Sequence, residues 1–145
     1  MDYQLIKLAA EWIEQQEEII RLHGQGLDGA QYTIAQRVGV THPERIFIKE
    51  VDEILLPDDP YLRQVAQELN FLGPNSIGLT LGYGVYLKRG YVNTRLLSHE
   101  FRHVKQYEDA GSIHAFIAEY LQQIFTYGYR DSPLEIDARQ AELSD

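Results

Sequence analysis

The stretch Leu96-Leu97-Ser98-His99-Glu100-Phe101-Arg102-His103-Val104 constrains this chain more than any other. Two His four residues apart, with a Glu directly after the first, cooperate only on an α-helix, where positions i and i+4 share one face a turn apart. There the imidazoles of His99 and His103 can aim at one point. Glu100, about 100° round the helix, can reach a water held at that point. The flanks suit a helix: Asn93 or Thr94 can cap its start, and Gly111 can end it.

The helical wheel agrees. Arg95, Ser98, Arg102, Lys105 and Asp109 recur at three- and four-residue steps and predict a wet face, while Leu97, Phe101 and Val104 form an apolar stripe. Leu96, His99, Glu100, His103 and Tyr107 fall between the two, where the wall of a cleft would lie. Paired His also occur on ordinary surface or packing helices. With five His in 145 residues, chance alone yields the pattern in about one such chain in a hundred. The remaining parts of a site therefore decide its meaning.

At 145 residues the chain is expected to be one domain, spanning 1–145, long enough to bury a real core. It has no cysteine, so it offers neither a disulfide framework nor a thiolate metal site, and any transition metal must use His and carboxylates. A net charge of −9 argues against nucleic-acid binding, which wants a basic face. The start Met-Asp-Tyr-Gln-Leu lacks a basic segment followed by an apolar one, and no run of about 18 apolar residues occurs. The expectation is a cytoplasmic protein with no membrane partner; its oligomeric state is open.

In chain order, Tyr3 to Leu22 reads as an amphipathic helix between an Asp2 cap and Gly24, with Glu11, Glu14, Glu17 and Glu18 on a solvated face. Whether that helix shields a cleft is open. A Gly-rich break covers Gln25 to Gly29, and a short helix covers Ala30 to Val38. Ile34 to Val40 looks like the first half of a helix-turn-helix, but Pro43 and an expected strand, Arg45 to Val51, stand where a recognition helix would be. Asp59 and Pro60 open another helix whose buried stripe is Leu62, Val65, Ala66, Leu69 and Leu72, stopped at Gly73-Pro74-Asn75. Ile77 to Leu81 and Gly84 to Lys88 read as strands around a Gly82-Tyr83-Gly84 turn, which is not a phosphate loop. Val85 to Lys88 is the expected edge strand against which an extended substrate would lie. Ser112 caps a helix from Ile113 to Phe125, with His114 facing solvent.

Ser132 to Glu142 reads as a last helix with a strong start signal. A hydrolytic metal site needs a third protein ligand and an open position for water. Glu135 and Asp137 both have the right chemistry. Glu135 is preferred, because Ala138 three residues on shares its face and lets two helices approach closely. Against this, Ser132-x-x-Glu135 is also a capping box, which stabilises a helix without any metal.

The two stretches Leu97-Ser98-His99-Glu100-Phe101-Arg102-His103-Val104-Lys105-Gln106 and Tyr129-Arg130-Asp131-Ser132-Pro133-Leu134-Glu135-Ile136-Asp137-Ala138 together resemble gluzincins, zinc peptidases with His-Glu-x-x-His and a downstream Glu ligand. With the preceding strand pair, residues 77–142 look most like compact, minigluzincin-type bacterial domains. The resemblance implies an α+β zincin-like fold: a small antiparallel or mixed sheet, an edge strand beside the motif helix, and a C-terminal helix supplying the third ligand. Residues 76–145 would form the metal-site core, and residues 1–75, which match no family, would add N-terminal helices and one strand. Glu-x-x-Ala in that family is often followed by an Asp that supports a ligand His. Arg139 stands there in this chain, which leaves Asp137 as a substitute.

The resemblance further implies Zn²⁺ on His99, His103 and Glu135, Glu100 as general base, and a peptide or protein substrate. Tyr127, Tyr129 and His114 are candidate donors to the oxyanion, and a chain this short leaves little room for a deep specificity pocket. Two other classes stay open: a catalytically silent zinc-binding or regulatory module, and a structural or interaction protein with a fortuitous motif.

Overall fold

The computed structural model describes residues 2–69 and 75–145. Leu72 and the stop expected at Gly73-Pro74 lie outside the described residues. The described residues form six α-helices and one four-stranded mixed sheet, an α+β arrangement. Among them no helix is long and apolar enough to cross a membrane.

Helix α1 (Tyr3–His23) starts where the Asp2 carboxylate accepts the Leu5 N–H, and it buries Leu5, Ile6, Ala9, Ala10, Ile13 and Ile20. The Gly-rich break after it contains a two-residue strand, β1 (Gln25–Gly26), too short to leave a sequence pattern. Helix α2 (Gly29–Arg37) is held by a capping box of Asp28 and Gln31. A single 3-10 turn, Pro43–Arg45, then leads into β2 (Phe47–Val51), so no recognition helix follows. Helix α3 (Pro60–Glu68) begins at the Asp59 cap with Pro60 in its first turn.

Strands β3 (Gly78–Leu81) and β4 (Gly84–Lys88) form a hairpin, with Gly82 at φ 69° in the turn. The motif helix α4 (Thr94–Ala110) runs from the Asn93 cap to Gly111, which ends it in the left-handed conformation. Helices α5 (Ile113–Tyr127) and α6 (Pro133–Gln140) complete the chain.

The sheet order is β1-β2-β4-β3, with β2 and β4 parallel and the outer pairs antiparallel. This corrects one expectation: β4 is interior, and the edge strand beside α4 is β3. The parallel partner of β4 comes from residues 47–51, a non-local pairing that no local pattern reports. The sheet also draws strands from both sides of residue 75, so the N-terminal part is integral to the core.

Successive strand residues point to opposite faces and feed two apolar clusters. Ile48, Val85 and Leu87 pack with α2 and with Leu96, Leu97, Phe101 and Val104 of α4. Phe47, Val51 and Tyr86 face the other cluster, where α1 and α5 pack together. The expected wet face of α4 is partly covered. Ser98 is fully buried, and its hydroxyl accepts the Leu143 N–H from the segment that follows α6.

Gly24 joins α1 to the sheet. A Cβ there would sit 2.5 Å from the Ile48 carbonyl oxygen and 2.6 Å from that of Ile20. Both are backbone atoms that cannot swing aside. Gly24→Ala is therefore expected to lower unfolding stability by about 2 kcal/mol, while Gly26→Ala, with open space around it, stays within about 0.5 kcal/mol of the parent. Urea unfolding of both variants checks this, and equal effects would refute the close-packing argument.

Candidate metal centre

Helix α4 carries His99, Glu100 and His103, and α6 carries Glu135. Contacts of α4 with α6 and the residues just after it form a ladder: Gln106 with Leu134, Arg102 with Asp137, His99 with Glu142 and Ser98 with Leu143. Residue numbers rise along one helix as they fall along the other, so the helices are antiparallel, as expected. Ala138 is fully buried between the flanking contacts of Asp137 and Glu142 with α4, where a larger side chain would hold the helices apart.

This approach brings three donors together. One ligating atom from each of His99, His103 and Glu135 lies within 4.8 Å of the others, and the group could hold a metal ion. His99 Nε2 is 3.4 Å from Glu135 Oε1, and His103 Nε2 is 3.2 Å from Glu135 Oε2. A tetrahedral ion with bonds of about 2.0–2.1 Å needs its donors about 3.4 Å apart. Each imidazole nitrogen lies at about that spacing from a different oxygen of Glu135. The two His rings approach edge to face, with centroids 5.0 Å apart.

The outward nitrogens are held as well. His99 Nδ1 lies 2.8 Å from Glu142 Oε2, and Arg95 Nε donates to the other Glu142 oxygen at 2.6 Å. His103 Nδ1 lies 2.8 Å from Gln106 Oε1. Partners of this kind keep a proton on Nδ1 and leave the Nε2 lone pair for a metal. Glu135 is supported in turn by the Tyr120 hydroxyl, which donates to Oε2 at 2.6 Å.

Asp137, the rival ligand, is not part of the cluster. Arg102 donates to both its oxygens, at 2.8 and 3.0 Å. The capping-box reading of Glu135 also fails: Ser132 makes no side-chain cap bond, its hydroxyl donating instead to the Tyr129 carbonyl, and Glu135 turns inward to the imidazoles.

Glu100 is almost fully buried beside the group, and its carboxyl touches strand β3. The Thr80 hydroxyl lies 2.9 Å from both Glu100 Oε1 and the Glu100 carbonyl oxygen. A Cβ at Gly78 would come within 2.9 Å of Glu100 Oε2, so glycine is what leaves room for the carboxyl. Burial pushes the Glu100 pKa up, against the lowering effect of both imidazoles and Thr80. A carboxylate raised in this way takes up a proton more readily.

The other charges follow the same geometry. Burial opposes ionisation of Glu135, but the two imidazoles overcome it and hold that carboxyl well below the ordinary range. Burial alone would lower His103. Glu135 and Glu100 outweigh it and lift its pKa to about 9, and His99 is raised for related reasons. Without a metal, the cluster is thus an imidazolium–carboxylate network.

The four residues line a cleft of about 850 Å³, larger than the length of the chain suggested. One wall is β3, the rim is the Tyr91–Asn93 loop, and the floor is aromatic, with Tyr107, Phe116 and Tyr120 stacked in series. No α1 residue lines it, so α1 does not shield it. Of the three candidate oxyanion donors only Tyr129 lies in the cleft. Tyr127 and His114 are exposed outside it. Burial, with the Glu135 charge nearby, pushes the Tyr129 phenol far above its ordinary value and keeps it a proton donor.

Sequence reasoning missed the parts played by Thr80, Gly78, Tyr120 and Glu142, and it passed over Gln106. Two of these left a signal: Gln106 stands three residues after His103, and Glu142 about two helical turns after Glu135, each close to the ligand's own face. Tyr120 left none, because it reaches the site from a third helix.

No family model, no curated protein and no solved structure matches this chain.

A metal entering the cluster must displace the His103 proton. The metal-free pKa of about 9 then sets the window: affinity should rise by about tenfold per pH unit from about pH 7 and level off above about pH 9. The same proton has the opposite effect on the metal-free fold. Its stabilisation is full below the ordinary His value of about 6.5 and is lost as pH climbs through 9. Chelator competition across this range measures the affinity, and a flat profile would show that His103 carries no such proton.

Proposed function

We propose that this protein is a zinc-dependent hydrolase of peptide bonds with a zincin-like arrangement. The observation that carries the reading is the buried His99–His103–Glu135 donor group with the Glu100 carboxyl next to it, opening on a cleft. Two imidazoles and a carboxylate suit zinc, and they also suit ferrous iron. The adjacent carboxyl of raised pKa favours hydrolysis, which needs a base. Zinc held there would supply a bound water of pKa about 7 and polarise a carbonyl.

The chain's own residues do the rest. Glu100 receives the proton as water attacks the scissile carbonyl carbon, then delivers it to the departing amine nitrogen. Thr80 and the space above Gly78 fix the Glu100 carboxyl toward the cleft. Tyr129 is the candidate donor to the developing oxyanion. The edge strand β3 presents backbone groups along the cleft wall, so an extended polypeptide can pair there with little regard for its sequence.

Metal content by mass spectrometry and cleavage of a mixed peptide library test this together. The parent should carry about one zinc per chain and cut peptides. Glu100→Gln should keep the metal and lose turnover by about 10²–10⁴-fold, whereas His103→Ala should lose both. Unchanged turnover in Glu100→Gln would refute the mechanism. Bound zinc with no cleavage of any peptide would leave a metal-binding module rather than an enzyme.

A further inference from the structure

Asp137 is not a ligand, yet it is tied to one. Gln106 Nε2 donates both of its hydrogens, one to the Leu134 carbonyl at 2.9 Å and one to Asp137 Oδ2 at 2.8 Å. Both partners are acceptors only, so the amide cannot be turned round without setting Oε1 against two oxygens. Its oxygen must therefore face His103, at 2.8 Å from Nδ1. A side-chain carbonyl oxygen only accepts, so Nδ1 must carry a proton, and the proton that a metal would displace is the one on Nε2, which faces Glu135 Oε2 at 3.2 Å. Asp137 is itself immobilised by the two Arg102 bonds, and Arg102 also donates to the Val38 carbonyl at 2.7 Å.

We propose that Gln106 and Asp137 are positioning residues that act in series, fixing the orientation of His103 with a proton on Nδ1, so that Nε2 is the nitrogen turned toward Glu135 and left for a metal. Asp137 thus serves the site from two bonds away. Arg102 anchors it, and helix α2 anchors Arg102. The two imidazoles are oriented by different chemistry: a carboxylate, Glu142, for His99 and a neutral amide for His103. The neutral partner adds no further negative charge to a site that already holds the Glu135 ligand and the adjacent Glu100.

The inference rests on the metal reading above for its effect on affinity, but the Nδ1–H bond to Gln106 does not require a metal. The test is a double-mutant cycle on the full chain with Gln106→Met and Asp137→Ala, measuring Zn²⁺ affinity by competition with a chromophoric chelator. Gln106→Met should weaken binding by about 10–100-fold. Asp137→Ala should weaken it severalfold in the parent and cause no further loss in the Gln106→Met background. Losses that simply multiply would mean that Asp137 acts through helix packing, and the series would be refuted. Urea unfolding of each metal-free variant identifies a general loss of fold. Nitrogen-15 and proton spectra of the metal-free protein at about pH 7 read the Nδ1–H of His103 directly. The parent should show a slowly exchanging Nδ1–H held by Gln106, and both variants a rapidly exchanging one. No protected Nδ1–H in the parent would overturn the proposal even if zinc binds. A protected Nδ1–H in a parent that binds no zinc would uphold the series and remove only the metal reading.

Discussion

The Glu135 carboxylate lies between the Nε2 atoms of His99 and His103, and a charge buried that deeply persists only where other groups compensate it. Two imidazoles and the Tyr120 hydroxyl do so here. Much of the surrounding structure serves this arrangement. The small Ala138 lets α6 approach α4. Arg102 and Asp137 fasten the same two helices a turn away, and the segment after α6 returns over Ser98 to bring Glu142 to His99. Among the described residues no buried side-chain nitrogen or oxygen lacks a hydrogen-bond partner. The cluster is therefore a closed network of imidazole, carboxyl and hydroxyl groups.

The sheet sets what can happen beside that cluster. Because β2 occupies one side of β4, the hairpin strand left at the edge is β3. That strand does two things at once. Thr80 and Gly78 shape the place of the Glu100 carboxyl, and Gly78, Leu79 and Thr80 line the cleft. One wall of the cleft and the setting of the Glu100 carboxyl thus come from the same short strand. The aromatic floor, from Tyr107 of α4 and Phe116 and Tyr120 of α5, joins this wall to the α1–α5 core. Cutting away α1 would therefore expose Leu5, Ile6, Ile13 and Ile20 and unsettle the cleft, although α1 never lines it.

The sequence by itself determined the local elements and the candidate ligands. Asn93, Gly111, Ser112 and the Asp59-Pro60 pair act over one helical turn, so their caps and stops could be read directly. Leu96, His99, Glu100, His103 and Tyr107 were placed on one cleft-lining face by helical period alone, and all five line the cleft. Ala138 could be read as a site of close helix approach because its size is a local property. The tertiary structure decided everything that depends on pairing distant segments. It made β3 the edge strand, since the partner of β4 lies in residues 47–51. It buried Ser98 on a face patterned as wet, because the segment after α6 returns to it at Leu143. It turned Glu135 inward instead of leaving it as a cap, and it gave Asp137 to Arg102 and Gln106. Helical period says which side chains share a face. Which carboxylate ends up facing an imidazole depends on the antiparallel register of α4 and α6, and that register is set by packing between residues far apart in the chain.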